Sequence, residues 1–123
     1  MKNEQGNMND LSARLLDFAA DCIKLSIRLS RTVPGKHIAT QLLRAGSSAG
    51  ANYHEACAAE SRADFTHKLQ LVLKELREAE FWLKLAEHSG IAGGEEINSA
   101  AAQANELARI IARSIITARK RSR

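Results

Sequence analysis

Residues that favour β-strands are scarce in this chain of 123 residues. It contains only 3 Phe, 1 Trp, 1 Tyr and 1 Pro, and no segment alternates apolar with polar residues between turn signals. Ala, Leu, Glu, Lys, Arg and Gln are plentiful instead, and these residue types lose least on entering a helix. We therefore predict an all-α fold in a single domain over residues 1–123, since a domain typically has about 100 to 150 residues.

The chain also lacks long uncharged hydrophobic runs and the apolar core of a signal peptide. This predicts a cytoplasmic protein without membrane contact, and we expect residues 1–9 to be a disordered N-terminus. With only two cysteines, Cys22 and Cys57, a disulfide framework is not indicated, because the cytosol keeps thiols reduced. We expect both side chains to be free thiols in the core.

Acidic residues are fewer than basic ones, but the imbalance is confined to one end. The 18 Lys and Arg against 14 Asp and Glu give a formal net charge of +4. A basic C-terminal tail, residues 119–123, accounts for all of this excess, so the rest of the chain is formally neutral. The high isoelectric point thus describes the tail and not the whole surface.

Apolar residues recur at spacings of three and four, which is the pattern of amphipathic helices. Four such stripes run over residues 11–29, 36–58, 65–86 and 97–118. Short turns between long helices imply antiparallel neighbours, so we predict an up-down-up-down four-helix bundle. The residues predicted to fill its core are Leu15, Phe18, Leu42, Leu69, Val72, Leu76, Leu83, Leu107 and Ile111.

Helix boundaries follow from capping and turn residues. Asp10 is a suitable N-cap for the first helix, and either Ser61 or Asp64 suits the third. The first helix is predicted to end before Val33, because proline disfavours helical geometry in the residue before it, and Pro34 and Gly35 are predicted to start the second helix. Further turns are predicted at the polar residues that precede the third helix and at the glycines that precede the fourth.

Few patterns in the sequence indicate chemistry. His54 and Cys57 could share a zinc ion, but no second pair of ligands with matching spacing is present, and no Glu-x-x-His motif of di-iron bundles occurs. Glu75 and Glu78 share a stripe with Trp82, where pairing with arginines on a neighbouring helix is favoured over acid-base catalysis. We therefore predict no enzyme activity, no cofactor, no metal site and no small-molecule substrate.

A polar ridge on the second helix is the most informative feature. One face of that helix carries Gln41, Arg44, Ser48, Asn52 and Glu55. A solvated face is one interpretation; the other is a ridge buried against another helix, where each polar group finds a partner. We favour burial.

Small residues lie beside the polar ridge. Gly46 and Gly50 stand in the interior of the second helix, where each glycine costs roughly 1 kcal/mol relative to alanine. This cost indicates that another backbone approaches the helix closely.

The ridge residues, the polar turn that follows and Phe65 resemble the four helix bundle proteins encoded within intervening sequences of ribosomal RNA genes. The segment from Lys74 to Leu83 resembles the third helix of that family, and the likeness covers roughly residues 11–118. Ala49, Tyr53 and Ala56 depart from the family pattern, which has branched aliphatic residues at the first two positions and a glycine at the third.

The resemblance implies a homo-oligomer, most often a pentamer, without catalytic activity. It also implies kinship with the accessory proteins of diversity-generating retroelements, which are thought to bind nucleic acid. In the first hypothesis the chain is therefore an oligomeric scaffold whose polar contacts involve the ridge, Glu75 and Glu78. In the second it binds RNA or DNA phosphates through the last helix and the tail. The candidate contacts are Arg109, Arg113, Arg119, Lys120, Arg121 and Arg123.

Overall fold

The computed structural model describes residues 2–121, and the side chains of residues 10–121. Four helices account for most of this range, and no strand occurs within it. Their bounds are α1 Lys2–Leu29, α2 Val33–Cys57, α3 Arg62–His88 and α4 Glu95–Arg121. The predicted all-α class and the four-helix bundle are confirmed.

Neighbours in sequence are also the main neighbours in space. α1 packs on α2, α2 on α3 and α3 on α4, as short connections between antiparallel helices require. The contact between α1 and α4, which would close the bundle, is much the smallest of the four. The α1–α4 seam is therefore the most open side of the bundle.

The core lies where the apolar stripes predict it. All nine predicted core residues are completely buried, with 0% of their surface exposed. Asn52 of the polar ridge is only half-buried, and the neighbouring Tyr53 is buried. The tyrosine ring can fill this layer of the core, whereas an amide there would need buried hydrogen-bond partners.

Two helices begin earlier than their patterns predict. α1 begins at Lys2, so Asp10 lies inside the helix and is not its N-cap. The segment expected to be disordered, residues 2–9, falls within the bounds of α1, and Met1 lies outside the described residues. α2 begins at Val33 because the Thr32 hydroxyl accepts a hydrogen bond from the backbone N–H of Gly35 at 3.0 Å.

The other turns agree with the sequence. Ser61 is the N-cap of α3, and its hydroxyl accepts from the backbone N–H of Asp64 at 3.0 Å. Between α3 and α4, Gly90 and Gly94 adopt φ values of 79° and 104°, a region that side chains with a Cβ rarely enter. These glycines end α3 and allow the chain to reverse.

The last helix extends beyond the predicted Ala118. Arg119, Lys120 and Arg121 form the last turn of α4, where positive charge is favourable beside the exposed carbonyls. The described part of the predicted tail is thus helical and exposed. Ser122 and Arg123 lie outside the described residues.

Candidate functional site

Arg44 of α2 joins two carboxylates of α3. Its Nη1 atom donates to Oε2 of Glu75 at 2.9 Å, and its Nη2 atom donates to Oε1 of Glu78. The predicted pairing of these two glutamates with an arginine of a neighbouring helix is therefore present within one protomer. Glu75 is one of the two buried polar residues of the described chain, with 8% of its surface exposed, so it depends on this guanidinium.

The ion pairs shift the titration of their members. A hydrogen bond from Arg44 lowers the pKa of Glu78 below its ordinary value, although partial burial opposes the shift. The bond to Glu78 likewise raises the pKa of the Arg44 guanidinium. Both groups are thus held in their charged forms at neutral pH.

A second ion pair closes the other end of the ridge. Nζ of Lys68 on α3 donates to Oε1 of Glu55 at 2.9 Å, and this bond raises the pKa of Lys68. Between the two ion pairs, Asn52 turns back to its own helix and donates to the backbone carbonyl of Ser48 at 2.9 Å. Gln41 is half-buried at the opposite end.

These contacts correct the expectation that the ridge is buried. The Arg44 and Glu55 side chains remain 47% and 56% exposed, so the ridge forms a polar seam along the outer edge of the α2–α3 contact. The partners of the ridge lie in the same chain. The ridge therefore fixes the packing of α2 on α3, and its part in contacts between subunits stays a prediction.

The small residues of α2 face α1. A Cβ atom on Gly46 would lie 2.6 Å from Sγ of Cys22, far inside van der Waals contact. Gly46 therefore leaves room for the Cys22 side chain of α1, whereas the backbone atom nearest to a Cβ on Gly50 is the Leu15 carbonyl oxygen, at 3.8 Å. The close approach is thus one of α1 to α2 within the protomer, and at Gly46 it is made by a side chain.

An aromatic group lies next to the Arg44 ion pairs. The Trp82 ring makes edge contacts with His37 of α2, at a centroid distance of 5.5 Å, and with Phe81, at 5.1 Å. His37 is exposed at the surface and yet contacts this indole ring. The buried Nε1 atom of Trp82 has no hydrogen-bond partner among the described residues, although the nearby indole contributes slightly to the lowered pKa of Glu78.

The two cysteines differ, although both were predicted to be in the core. Cys22 is completely buried, and burial raises the pKa of its thiol to about 12, with a smaller contribution from Asp21. Cys57 is exposed because it lies in the last turn of α2, outside the core stripe. No cluster of three or more metal-ligating side chains is found in the described chain, and His54 is exposed beside Cys57.

The predicted nucleic-acid contacts share an exposed surface of α4. Arg109, Arg113, Arg119 and Lys120 are exposed, and none of the four has an ion-pair partner within residues 10–121. Arg121 is also exposed and makes a contact of its own. Arg123 lies outside the described residues. Basic side chains therefore stand without neutralising carboxylates along this half of α4.

An apolar stripe on the outer face of α1 was missed by the sequence analysis. Leu16 and Ile27 are each 71% exposed, and Ile23 is 47% exposed. Their spacings of seven and four residues place them on one side of the helix, opposite the core stripe. This second periodic stripe is the signal that could have revealed them. These three residues form the outer stripe of α1.

A cavity of about 500 Å³ opens at the α1–α4 seam and was also not predicted. Arg14 of α1 and Arg113, Thr117 and Arg121 of α4 are among its lining residues. Arg113 and Arg121 had been assigned only to a nucleic-acid surface. The sequence does not reveal the cavity, because its walls come from both ends of the chain and its width is set by how α1 packs.

The chain is a small four-helix bundle in which the polar ridge joins α2 to α3. A family model described as the 23S rRNA-intervening sequence protein matches residues 9–113, so the chain belongs to that family. A solved structure is similar, a protein of unknown function from the S23 ribosomal protein family of Bacteroides thetaiotaomicron. The two are 33% identical, with a TM-score of 0.78, over 85% of this chain and 97% of the other. No curated protein matches.

The comparisons confirm the family resemblance and leave the activity of the family undefined, because the similar structure is itself described as a protein of unknown function. Within the described residues, none of the helices has the length and apolar character needed to cross a bilayer.

Proposed function

We propose that this chain is a non-enzymatic subunit of a homo-oligomer and that the assembly acts as a binding scaffold. The observation that carries the proposal is the outer stripe of α1. Burying apolar surface yields about 25 cal/mol per Å², and Leu16, Ile23 and Ile27 are 71%, 47% and 71% exposed. A clustered apolar patch of this kind marks an interaction surface more often than scattered exposed residues do.

The polar ridge and the small residues no longer support assembly by themselves, because Arg44, Glu55 and Gly46 all have their partners inside the protomer. The outer stripe is exposed and has no such partner within residues 10–121. We further propose five subunits, the number that the family resemblance implies. A closed ring is heterologous, so the outer stripe would pack against a different surface of the next subunit.

Light scattering on the purified protein tests the proposal. We expect an oligomer at micromolar concentration, and a smaller species when Ile27→Lys places a charge in the outer stripe. Ile116→Lys is the matched control, since Ile116 is a 53% exposed apolar residue on α4. A wild-type monomer at micromolar concentration contradicts the proposal, and equal effects of both substitutions contradict the assignment to the outer stripe.

A second candidate function is binding to nucleic-acid phosphates. It is supported by the exposed cations of α4, of which Arg109 and Arg113 have no carboxylate partner in the described chain. Assembly would multiply these charges and raise the effective concentration of binding groups. Such binding would have little sequence specificity, because phosphate contacts position a protein without reading bases.

A further inference from the structure

The cavity at the α1–α4 seam combines guanidinium groups with hydroxyl groups. Arg14, Arg113 and Arg121 line it together with the side chains of Ser114 and Thr117. Asp10 supplies the single carboxylate of the lining, and Arg113 is a lining cation without an ion-pair partner among the described residues. Guanidinium forks and hydroxyls are donors that suit phosphate oxygens, and a phosphate monoester carries about −1.5 to −2 at pH 7.

The arginines are held at the cavity in different ways. Nη2 of Arg14 pairs with Oε2 of Glu106 at 3.0 Å, which fixes a guanidinium at the α1 wall. Arg113 has no ion-pair partner among the described residues, so its five N–H donors are available to a ligand. The Ser114 hydroxyl donates to the backbone carbonyl of Ile110 at 3.0 Å, so Thr117 is the lining hydroxyl left to donate to a phosphate oxygen.

The cavity also has apolar lining residues. They are Phe65 and Leu69 of α3, Tyr53 of α2 and Ile110 of α4. Burial raises the pKa of the Tyr53 hydroxyl, which therefore stays protonated. Ligand pockets commonly have about 300 to 1,000 Å³ and an apolar lining with a few convergent polar groups. A cavity of about 500 Å³ lined by both arginines and apolar side chains fits a ligand that joins a phosphate to a flat apolar group.

We propose that the cavity between α1 and α4 binds a nucleotide, with Arg113, Arg14 and Thr117 at the phosphate monoester and Phe65 and Ile110 at the base. The nucleotide is either free or the 5′-phosphorylated end of an RNA chain, since both present the same chemistry. This site goes beyond the proposed assembly and does not depend on it.

Isothermal titration calorimetry with AMP, ribose 5-phosphate, inorganic phosphate and adenosine separates the contribution of the phosphate from that of the base, without altering the protein. We expect saturable binding of AMP, about tenfold weaker binding of ribose 5-phosphate because the apolar lining residues lose their partner, and no saturable binding of adenosine. Failure of AMP to bind at millimolar concentration overturns the proposal. Inorganic phosphate binding as tightly as AMP overturns the assignment to a nucleotide.

A matched pair of substitutions tests the location. Arg113→Gln should weaken AMP binding by about tenfold or more, because a charge-assisted hydrogen bond is lost. Arg109→Gln removes the same charge one turn earlier on α4, outside the cavity lining, and should change the affinity less than about twofold. If both variants weaken AMP binding equally, AMP is attracted by the overall charge of α4, and the proposed site is wrong. Light scattering on the same samples reports assembly independently.

The source of the ligand is decided with short RNAs. If the site accepts RNA ends, a 5′-phosphorylated oligonucleotide should compete with AMP. The same oligonucleotide with a 5′-hydroxyl group should not compete. If AMP binds and neither oligonucleotide competes, the site takes free nucleotides, which also supports the proposal. Equal competition by the two oligonucleotides overturns phosphate-end recognition.

Discussion

The Cβ atom that an alanine would place at position 46 meets the Cys22 side chain, at 2.6 Å from Sγ and 2.9 Å from Cβ. Two helices thus approach each other at a point where only glycine fits. Gly50 of the same helix has more space around it. The atom nearest to a Cβ at this position would be the carbonyl oxygen of Leu15, at 3.8 Å, which is an ordinary van der Waals distance. Both glycines were predicted to serve close approach, but only one is sterically required.

Substituting these two glycines by alanine should therefore have opposite effects. Alanine is favoured over glycine in a helix by about 1 kcal/mol, so Gly50→Ala should raise the free energy of unfolding by about 0.5 to 1 kcal/mol. In Gly46→Ala the overpacking cost of about 1 to 3 kcal/mol exceeds this gain, and the variant should be less stable than wild type. Urea unfolding followed by circular dichroism measures both. Stabilisation by Gly46→Ala would show that α1 can move away from α2 at little cost.

Arg44→Met should destabilise the protein in a pH-dependent manner. At pH 7 we expect a loss of about 1 to 2 kcal/mol, because Glu75 is buried without its cation, while the more exposed pair with Glu78 adds less. The folded-state pKa of Glu78 lies below its unfolded value. The stability from its ion pair is therefore present above the ordinary value of 4.5 and is lost as the pH falls through the lower folded value.

Unfolding free energies measured from pH 7 to pH 3 should accordingly converge for wild type and Arg44→Met. Lys84→Met is the control, because Lys84 pairs with Glu80 one turn away on the same helix and should contribute only about 0.3 to 0.5 kcal/mol. A difference between wild type and Arg44→Met that stays constant over this range would mean that the arginine acts by packing and not by charge.

The two thiols should react at very different rates in the native protein. Cys57 is exposed, whereas Cys22 is buried with its pKa raised to about 12, and the thiolate is the reactive form. A thiol reagent followed by mass spectrometry should label one cysteine rapidly at pH 8 and the second only after denaturation. Cys57→Ser should abolish the rapid phase. Rapid labelling of Cys22 in this variant would indicate frequent opening of the α1–α2 contact.

Nucleic-acid binding, the second candidate function, predicts a salt dependence that follows the last turn of α4. Each phosphate contact contributes about −0.9 to the slope of log K against log salt on duplex DNA. Replacing Arg119 and Lys120 by glutamine should flatten the slope, and the fold should persist because both side chains are exposed. Filter binding at several salt concentrations measures this change. If wild type and the variant bind equally, or neither binds, the last turn is not a nucleic-acid contact.

The four helices could be predicted from the sequence because they depend on local periodicity, and the family was indicated by the resemblance of the ridge residues and of residues 74–83. The stripes that contain Leu15, Leu76 and Ile111 have one buried face in any antiparallel arrangement, so the core followed without knowledge of the packing. The pairing of Glu75 and Glu78 with an arginine was also predictable, since uncompensated carboxylates on a half-buried stripe need a cation. Helix ends were less predictable, because Thr32 and the last basic turn extend α2 and α4 beyond their apolar stripes.

The sequence by itself determined the helices, their order and their inward faces, because a 3.6-residue period acts within each segment. Only the tertiary structure decided which groups meet across segments. It placed Arg44 beside two glutamates more than 30 residues away, left Cys57 outside the core, and made one side of the bundle open. The cavity with Arg14 and Arg113 exists because the first and last helices make the smallest contact. The separation of α1 from α4 is set by the packing of all four helices together, and no local pattern in the sequence encodes it.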